Sequence, residues 1–308
     1  MKIFRPSPTK ESYWGDVERR IQKIFDEVYR DLFKLTKKEQ ELYNNNDPLV
    51  EALLNAQIAF KDGSFFGQFN STLTRELRNI GATYDRLNKT WKLPTKELPQ
   101  NLQMAIVQRE SMDAALNNKA FAIIDNIDIN KIIADNSLNN TYERTIRKMG
   151  SDIDKTIGIK VAMTEAQKSI IADEWSNNLD LYIKGFLEKN VTELRELVYT
   201  NVERGQRAEN LVKSIESRYS VTKSKAKFLA RQETSLLMSK MRETRYKDAG
   251  IIKYKWSSSN DSRVRPRHKD LDGKVFFWDS PPIVDNKGNR KHPGEDFNCR
   301  CLAIPIIE

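Results

Sequence analysis

The sequences DSRVRPRHKDLDGKVFFW (261–278) and HPGEDFNCRC (292–301) contain every histidine and cysteine of this 308-residue chain. These four residues, His268, His292, Cys299 and Cys301, fall within 34 positions. Such clustering favours a metal site, because an ion needs several soft donors in one place. The surrounding sequence is rich in turn residues and is flanked by the strand-like segments IIKYKWS (251–257) and CLAIPII (301–307), which predicts a small, loop-rich β unit.

The spacing of the four residues is His-x23-His-x6-Cys-x-Cys. Tetrahedral zinc commonly binds two cysteines and two histidines, so His268, His292, Cys299 and Cys301 are candidate ligands of a structural zinc that staples the β unit. The Cys-x-Cys pair is tighter than the Cys-x2-4-Cys of standard zinc fingers. In the alternative interpretation, both cysteines are small buried side chains and both histidines cap loops.

Two catalytic interpretations use the same residues. The histidines could belong to a metal-dependent nuclease of the His–Asn–His kind, together with Asp261, Asp270, Asp272 and Asn298. A cysteine paired with a histidine could instead act as a nucleophile. The spacing matches no nuclease motif, and no pattern indicates which cysteine would be activated. We therefore assign no catalytic residue and expect a protein that is not an enzyme.

The segment before the β unit, residues 220–250, predicts a long helix. Its apolar residues repeat at helical spacing, Ser220 and Thr222 are typical of a helix start, and Gly250 is typical of a helix end. We therefore predict a C-terminal α+β module over residues 219–308. It consists of a long helix and a loop-rich β unit that contains a candidate structural metal site.

The rest of the chain predicts a mainly α protein that carries a small α+β insertion. Apolar residues repeat every three to four positions over 17–33, which indicates a helix. TLTRELRNIG (72–81) predicts a short helix ending at Gly81, and ATYDRLNKTWKLP (82–94) alternates like a hairpin around Asn88. We predict a helical region at 1–60, the insertion at 61–100 and a second helical region at 101–218.

The net charge of +9 is concentrated in the last third of the chain. Residues 1–200 hold 29 Lys and Arg against 29 Asp and Glu, whereas residues 201–308 hold 23 against 14. A basic module favours a polyanion such as double-stranded DNA, through non-specific phosphate contacts, although a basic surface can also serve solubility alone. The candidate DNA-contacting residues are Lys223, Lys225, Lys227, Arg231, Arg263, Arg265 and Arg267.

The last three arginines alternate along the sequence, so on an extended segment they would project to one side. They could then contact phosphates, or pair internally with Asp261, Asp270 and Asp272.

Composition limits the remaining classes of protein. No apolar run is long enough to span a membrane, and the N-terminus shows no secretory signal, so we expect no membrane anchor. The Cys-x-Cys pair is unsuited to a disulfide and indicates a reducing compartment.

The order of the motifs resembles one family over about residues 190–305. LARQETSLLMSKMRETRYKDAGI (229–251) is similar to the family's helix with an Arg-x-Glu-Thr motif, and YKWSSSNDSRVRPRHKDLDGKVF (254–276) followed by HPGEDFNCRC resembles its C-terminal domain. The family is that of tailed-phage minor head proteins, the Mu F-like head morphogenesis family. Its motif falls here on Arg231, Glu233, Trp256, Asp261, Asp272, Gly273 and Asn298.

The resemblance implies a structural protein of the virion. It implies a few copies per procapsid, inside the phage head at the portal vertex, and a part in head assembly, genome packaging or genome delivery. The implied partners are the portal protein, a capsid or scaffolding protein and packaged double-stranded DNA. The implied locations are the virion and, during assembly, the host cytoplasm. The competing hypothesis is a metal-dependent nuclease or other DNA-processing enzyme that uses His268 and His292.

Overall fold

The structure, a computed structural model, describes residues 5–43, 47–203 and 208–307. These residues form nine helices: α1 (Glu11–Tyr43), α2 (Pro48–Leu54), α3 (Ser71–Asn79), α4 (Gln100–Asp125), α5 (Ile129–Asp135), α6 (Asn139–Ile157), α7 (Glu165–Glu203), α8 (Ala208–Asp248) and α9 (Pro266–Leu271). The strands are β1 (Ile58–Lys61), β2 (Ser64–Gly67), β3 (Thr83–Asp85), β4 (Thr90–Lys92), β5 (Lys253–Ser257), β6 (Val275–Phe277) and β7 (Leu302–Ile306). The predicted fold class is confirmed.

The chain divides into two compact units. The first contains Met1–Glu27, Asp128–Lys189 and Ser220–Glu308, and the second contains Val28–Ile127 and Asn190–Tyr219. The helices α1, α7 and α8 each contribute residues to both units. This grouping follows contacts in space, whereas the four predicted regions follow the order of the sequence.

The second unit contains the α+β insertion. Its antiparallel sheet has the order β1-β2-β4-β3, and the predicted hairpin is formed by β3 and β4. The sheet shares a core with α2, α3 and the start of α4, which includes Leu49, Phe65, Leu77, Trp91 and Leu102. Side-chain caps begin the two short helices: Asp47 accepts from the first backbone amides of α2, and Asn70 does so for α3.

The first unit combines helices with the C-terminal module. Residues at helical spacing on α1, α7 and α8 are fully buried, among them Ile21, Ile183 and Leu229. The helix α6 carries Gly150, whose carbonyl accepts from Arg245 at 2.6 Å. A Cβ atom at this glycine would lie 3.2 Å from the guanidinium, so the small residue permits the contact. Arg245 also pairs with Asp154 at 3.0 Å, which compensates its buried charge.

The C-terminal module follows α8. As expected, Gly250 ends this helix: it adopts a φ of 76°, and the amide of Ile251 donates to the Tyr246 carbonyl. The chain then forms a three-stranded antiparallel sheet of order β6-β5-β7. Strand β5 lies in the centre and pairs with β7 along its full length, from Lys253 opposite Ile306 to Ser257 opposite Leu302.

One local prediction is wrong, and one condition considered for the arginines is not met. The helix start expected at Ser220 does not exist, because α8 is continuous from Ala208 and already buries Leu211 and Ile215. The segment with the alternating arginines is not extended either. Pro266 occupies the first turn of α9, where a fixed φ and a missing amide proton favour a helix, so Arg263, Arg265 and Arg267 lie in a turn, at a helix cap and in a helix.

Candidate metal centre in the C-terminal module

Three of the four predicted ligands lie together. The Nδ1 atom of His268 is 3.5 Å from the Cys299 sulfur and 3.6 Å from the Cys301 sulfur. One potential ligand atom from each residue lies within 4.8 Å of the others, and all three residues are buried. Two thiols and an imidazole that face one another form a donor set typical of zinc and other borderline metals. The group is compatible with a structural metal site.

The two cysteines are free and share a hydrogen bond. The Cys301 thiol donates to the Cys299 sulfur and lowers the pKa of Cys299 to about 4, with further contributions from His268 and from backbone amides, whereas burial opposes this shift. The same hydrogen bond raises the pKa of Cys301, and burial adds to the effect. This shift favours the thiolate form of Cys299, which is the form that binds metal.

Asp296 lies on the opposite edge of the His268 ring. Its Oδ2 atom is 3.3 Å from Nε2, an ion-pair distance that does not meet hydrogen-bond geometry. Burial works against ionisation of Asp296, but hydrogen bonds from Lys291 and the Phe297 amide hold its pKa below the usual value. With a metal bound, an ionised carboxylate at Nε2 would favour the tautomer protonated there, which would leave the Nδ1 lone pair for the metal.

The loop that carries the cysteines is fastened to α8. Asn298 has a φ of 53°, and its side-chain oxygen accepts from Arg231 at 2.6 Å. Its backbone amide donates to Gln232. Further along α8, the Ser239 hydroxyl donates to the Pro293 carbonyl at 2.9 Å. These contacts fix the turn that presents Cys299.

The other residues of the resembled motif lie around the same group. The Trp256 side chain is fully buried in β5 and packs edge-on against His268, with the ring centroids 5.4 Å apart. Asp272 accepts from the Ser258 amide at 2.6 Å, and Gly273 adopts a φ of 76° at the turn into β6. The guanidinium of Arg300, between the two cysteines in sequence, binds Asp261 through two nitrogens at 2.5 and 2.7 Å.

His292 does not join the three ligands. Its Nδ1 atom lies 3.0 Å from the Tyr254 hydroxyl, and its ring packs against Trp278 with the centroids 4.9 Å apart. Burial lowers the pKa of His292, which favours the neutral form of the ring. His292 is therefore a member of a buried aromatic cluster, and the structure provides no ligand group that includes both histidines among the described residues.

The predicted DNA-contacting residues differ in their contacts and exposure. The ammonium group of Lys225 lies over the Phe228 ring and that of Lys227 over Trp14. Arg265 donates to the Phe297 carbonyl. The arginine that pairs with Asp261 is Arg300, which is not one of the three alternating arginines. The side chains of Lys223, Arg263 and Arg267 are exposed.

Glu233 is a buried acid of the resembled motif. Its side chain lies in α8 and is only 2% exposed. Burial raises the pKa of Glu233 to about 7. Sequence spacing did not reveal the positions of Asp296, Gln232 and Glu233. The two acidic residues between His292 and Cys299 were a signal for a partner of the metal ligands.

The module matches a family of known proteins. Residues 192–304 match the family described as Phage Mu protein F like protein. The resemblance inferred from the motifs is thus confirmed for this part of the chain, here termed the Mu F-like region (residues 192–304). It includes all three ligands of the candidate metal centre and the residues of α8 that hold them.

A Haemophilus influenzae protein described as uncharacterized is 34% identical over 133 residues. This alignment covers 43% of the chain but only 28% of that relative, so the chain spans little more than a quarter of the relative's length. No solved structure matches the chain. In the described part of the chain, no helix has the length and apolar character required to cross a bilayer.

Proposed function

We propose that the protein is a phage minor head protein that acts at the portal vertex, inside the head, during procapsid assembly and genome packaging or delivery. The observation that carries this proposal is the family match over residues 192–304. Its proposed partners are the portal protein and a capsid or scaffolding protein, which the chain meets in the host cytoplasm before it becomes part of the virion. The proposed role is structural and not enzymatic.

The geometry around His268 supports a structural role. His268, Cys299 and Cys301 are buried, and hydrogen bonds from α8 fix the loop that carries the cysteines. A nuclease that used His268 and His292 would need both rings at one metal, but His292 faces Tyr254. The arrangement therefore favours a site that holds the module together.

We propose that the metal is zinc. Two sulfurs and one imidazole nitrogen would supply three of the four ligands that zinc usually takes in a structural site. When bound, zinc would join α9, which carries His268, to the segment that leads into β7. Asp296 would orient the imidazole from its far side, as carboxylates commonly do for metal-binding histidines.

Deletion and complementation of the gene test the head role. Without the protein, we expect fewer DNA-filled heads, and complementation with the intact gene should restore them. DNA-degradation assays of the purified protein and of a His268→Ala variant, checked for folding by circular dichroism, separate the two functional classes. A nuclease role predicts that purified protein degrades DNA with added magnesium, manganese or zinc and that His268→Ala abolishes this activity. A structural role predicts no degradation by either protein.

The proposed DNA contact has its own test. The full chain should bind double-stranded DNA without sequence preference, and its affinity should fall steeply as salt rises, because phosphate contacts release counterions. The exposed side chains of Lys223, Arg263 and Arg267 are the best candidates in the basic third. Replacing all three by Gln should weaken DNA binding and reduce its salt dependence. The control is the double variant Arg75→Gln and Arg86→Gln in the second unit, which should bind DNA as the wild-type protein does. Salt-insensitive binding would contradict the proposal.

A further inference from the structure

A cavity of about 610 Å³ lies within the first unit, beside the candidate metal centre. Its walls are formed by the N-terminal segment 5–9, by α8 and by the loop that carries Cys299 and Cys301. Cavities of roughly 300–1,000 Å³ are typical of small-molecule binding sites. The cavity is therefore large enough for a ligand of nucleotide size.

The cavity wall is strongly basic. Four arginines line it, namely Arg5, Arg231, Arg242 and Arg300, and none of the described lining residues is an Asp or a Glu. Hydroxyl groups from Ser7, Thr9 and Ser259 add further donors. A concave surface with several positive charges focuses the electrostatic potential and favours an anion.

Three of these arginines bind neutral acceptors. Arg231 donates to the Asn298 side chain at 2.6 Å, Arg5 donates to the Ser257 hydroxyl at 3.1 Å, and Arg242 donates to the Ser7 carbonyl. Such contacts orient a guanidinium group but do not neutralise its charge. Arg300 differs, because its charge is paired with Asp261.

Arg242 gives an independent indication of a ligand. The residue is only 6% exposed, and its Nε atom is buried without a hydrogen-bond partner. The acid that interacts with it through space, Asp152, itself accepts hydrogen bonds from Lys10 and Tyr13. A buried positive charge is costly unless an anion lies near it, and a phosphate group in the cavity would offset the charge of Arg242.

We propose that this cavity binds a phosphate group, held by Arg5, Arg231 and Arg242. Arginine suits this ligand because its planar fork donates two parallel hydrogen bonds to phosphate oxygens. The group could be free phosphate or pyrophosphate, or the terminal phosphate of a DNA strand. The inference does not depend on the proposed head function, since it concerns a cavity of this chain and an anion small enough to enter it.

Isothermal titration calorimetry of the full chain with inorganic phosphate and with pyrophosphate, at constant ionic strength, tests the proposal. We expect saturable binding at one site per chain. Arg231→Gln and Arg5→Gln should each weaken it by about tenfold or more, the usual effect of losing a charge-assisted hydrogen bond. Arg231→Lys should retain part of the affinity. Arg144→Gln is the matched control, because this exposed arginine of α6 does not line the cavity, and the variant should bind as the wild-type chain does.

Arg242→Gln should abolish binding, but its burial makes loss of folding a competing cause, so circular dichroism must accompany this variant. Arg231→Gln and Arg5→Gln are therefore the decisive variants. Short DNA duplexes with and without a 5′-phosphate identify the source of the group: a preference for the phosphorylated duplex indicates a strand end, and equal binding indicates the free anions. The proposal is overturned if neither phosphate nor pyrophosphate binds at millimolar concentration, or if both variants bind them as tightly as the unchanged chain.

Discussion

Arg231 donates to the side-chain oxygen of Asn298 at 2.6 Å, and this contact joins α8 to the turn directly before Cys299. Asn298 adopts a left-handed backbone conformation with a φ of 53°. Both features are typical of asparagine, which accepts hydrogen bonds and tolerates this conformation better than most residues. Residues 67 positions apart in the sequence thus hold the cysteine loop in place.

Asn298→Ala should destabilise the protein by about 1–3 kcal/mol, because it removes the acceptor of Arg231 and places a Cβ-bearing residue without local hydrogen bonds in the left-handed region. Asn298→Gly should cost less, since glycine adopts this φ freely. Chemical denaturation of both variants measures the difference. Equal losses for Ala and Gly would show that the backbone conformation at Asn298 contributes nothing.

The protein should contain about one zinc per chain when it is purified without chelators, because His268, Cys299 and Cys301 supply three ligands. Cys299→Ser and Cys301→Ser should each abolish or strongly reduce the zinc content measured by inductively coupled plasma mass spectrometry. His292→Gln is the control that keeps a hydrogen-bonding group near Tyr254, and it should retain the metal. Metal-free protein with an ordered C-terminal module would refute the zinc site.

Asp296→Asn should weaken zinc binding by about 10–100-fold without changing its stoichiometry at saturation, because the residue orients His268 and does not serve as a ligand. Competition with a chromophoric chelator measures this affinity. Asp285→Asn, which removes a carboxylate that caps a separate turn, provides the comparison. A loss of stoichiometry in Asp296→Asn would instead identify Asp296 as a direct ligand.

Glu233 should make the protein more stable in mild acid than in mild base. Burial raises its folded pKa to about 7, from about 4.5 in the unfolded chain, so the folded state binds the proton more tightly. This contribution is fully present below the unfolded pKa and is lost as pH rises through about 7, with an upper bound of roughly 3 kcal/mol.

Glu233→Gln removes the titrating carboxyl group. The difference in unfolding free energy between the variant and the wild-type protein should therefore change from pH 5 to pH 8. Over this range the wild-type protein should lose stability relative to the variant. Urea denaturation at several pH values measures it, and the comparison cancels the contributions of other groups such as His292. A difference that is independent of pH would show that Glu233 does not titrate in this range.

Much of the secondary structure could be predicted, because local residue types determine it. Gly81 and Gly250 mark helix ends, and the alternation in IIKYKWS predicts β5. Pro266 was a comparable signal for the start of α9, but the alternating arginines around it suggested an extended segment. The start of α8 was missed because Ser220 resembles a cap, although the apolar periodicity continues on both sides of it.

The candidate metal centre could be predicted only in part. The clustering of four soft donors correctly indicated that His268, Cys299 and Cys301 lie together. Sequence spacing could not show that the fourth donor, His292, faces away from them. The His292 ring packs against Tyr254 and Trp278. This contact forms only because strand pairing brings distant segments of the chain together. The position of Asp296 beside His268 and the arginine-lined cavity likewise arise only from tertiary packing.

Quantitative mass spectrometry of purified procapsids tests the central claim, that this chain is a minor structural component of the phage head. Particles assembled with the complete set of head proteins should contain a few copies of the chain, and particles assembled without the portal protein should lose most of it. Equal amounts with and without the portal would contradict placement at the portal vertex. Absence of the chain from procapsids that assemble and fill normally would contradict the head role itself.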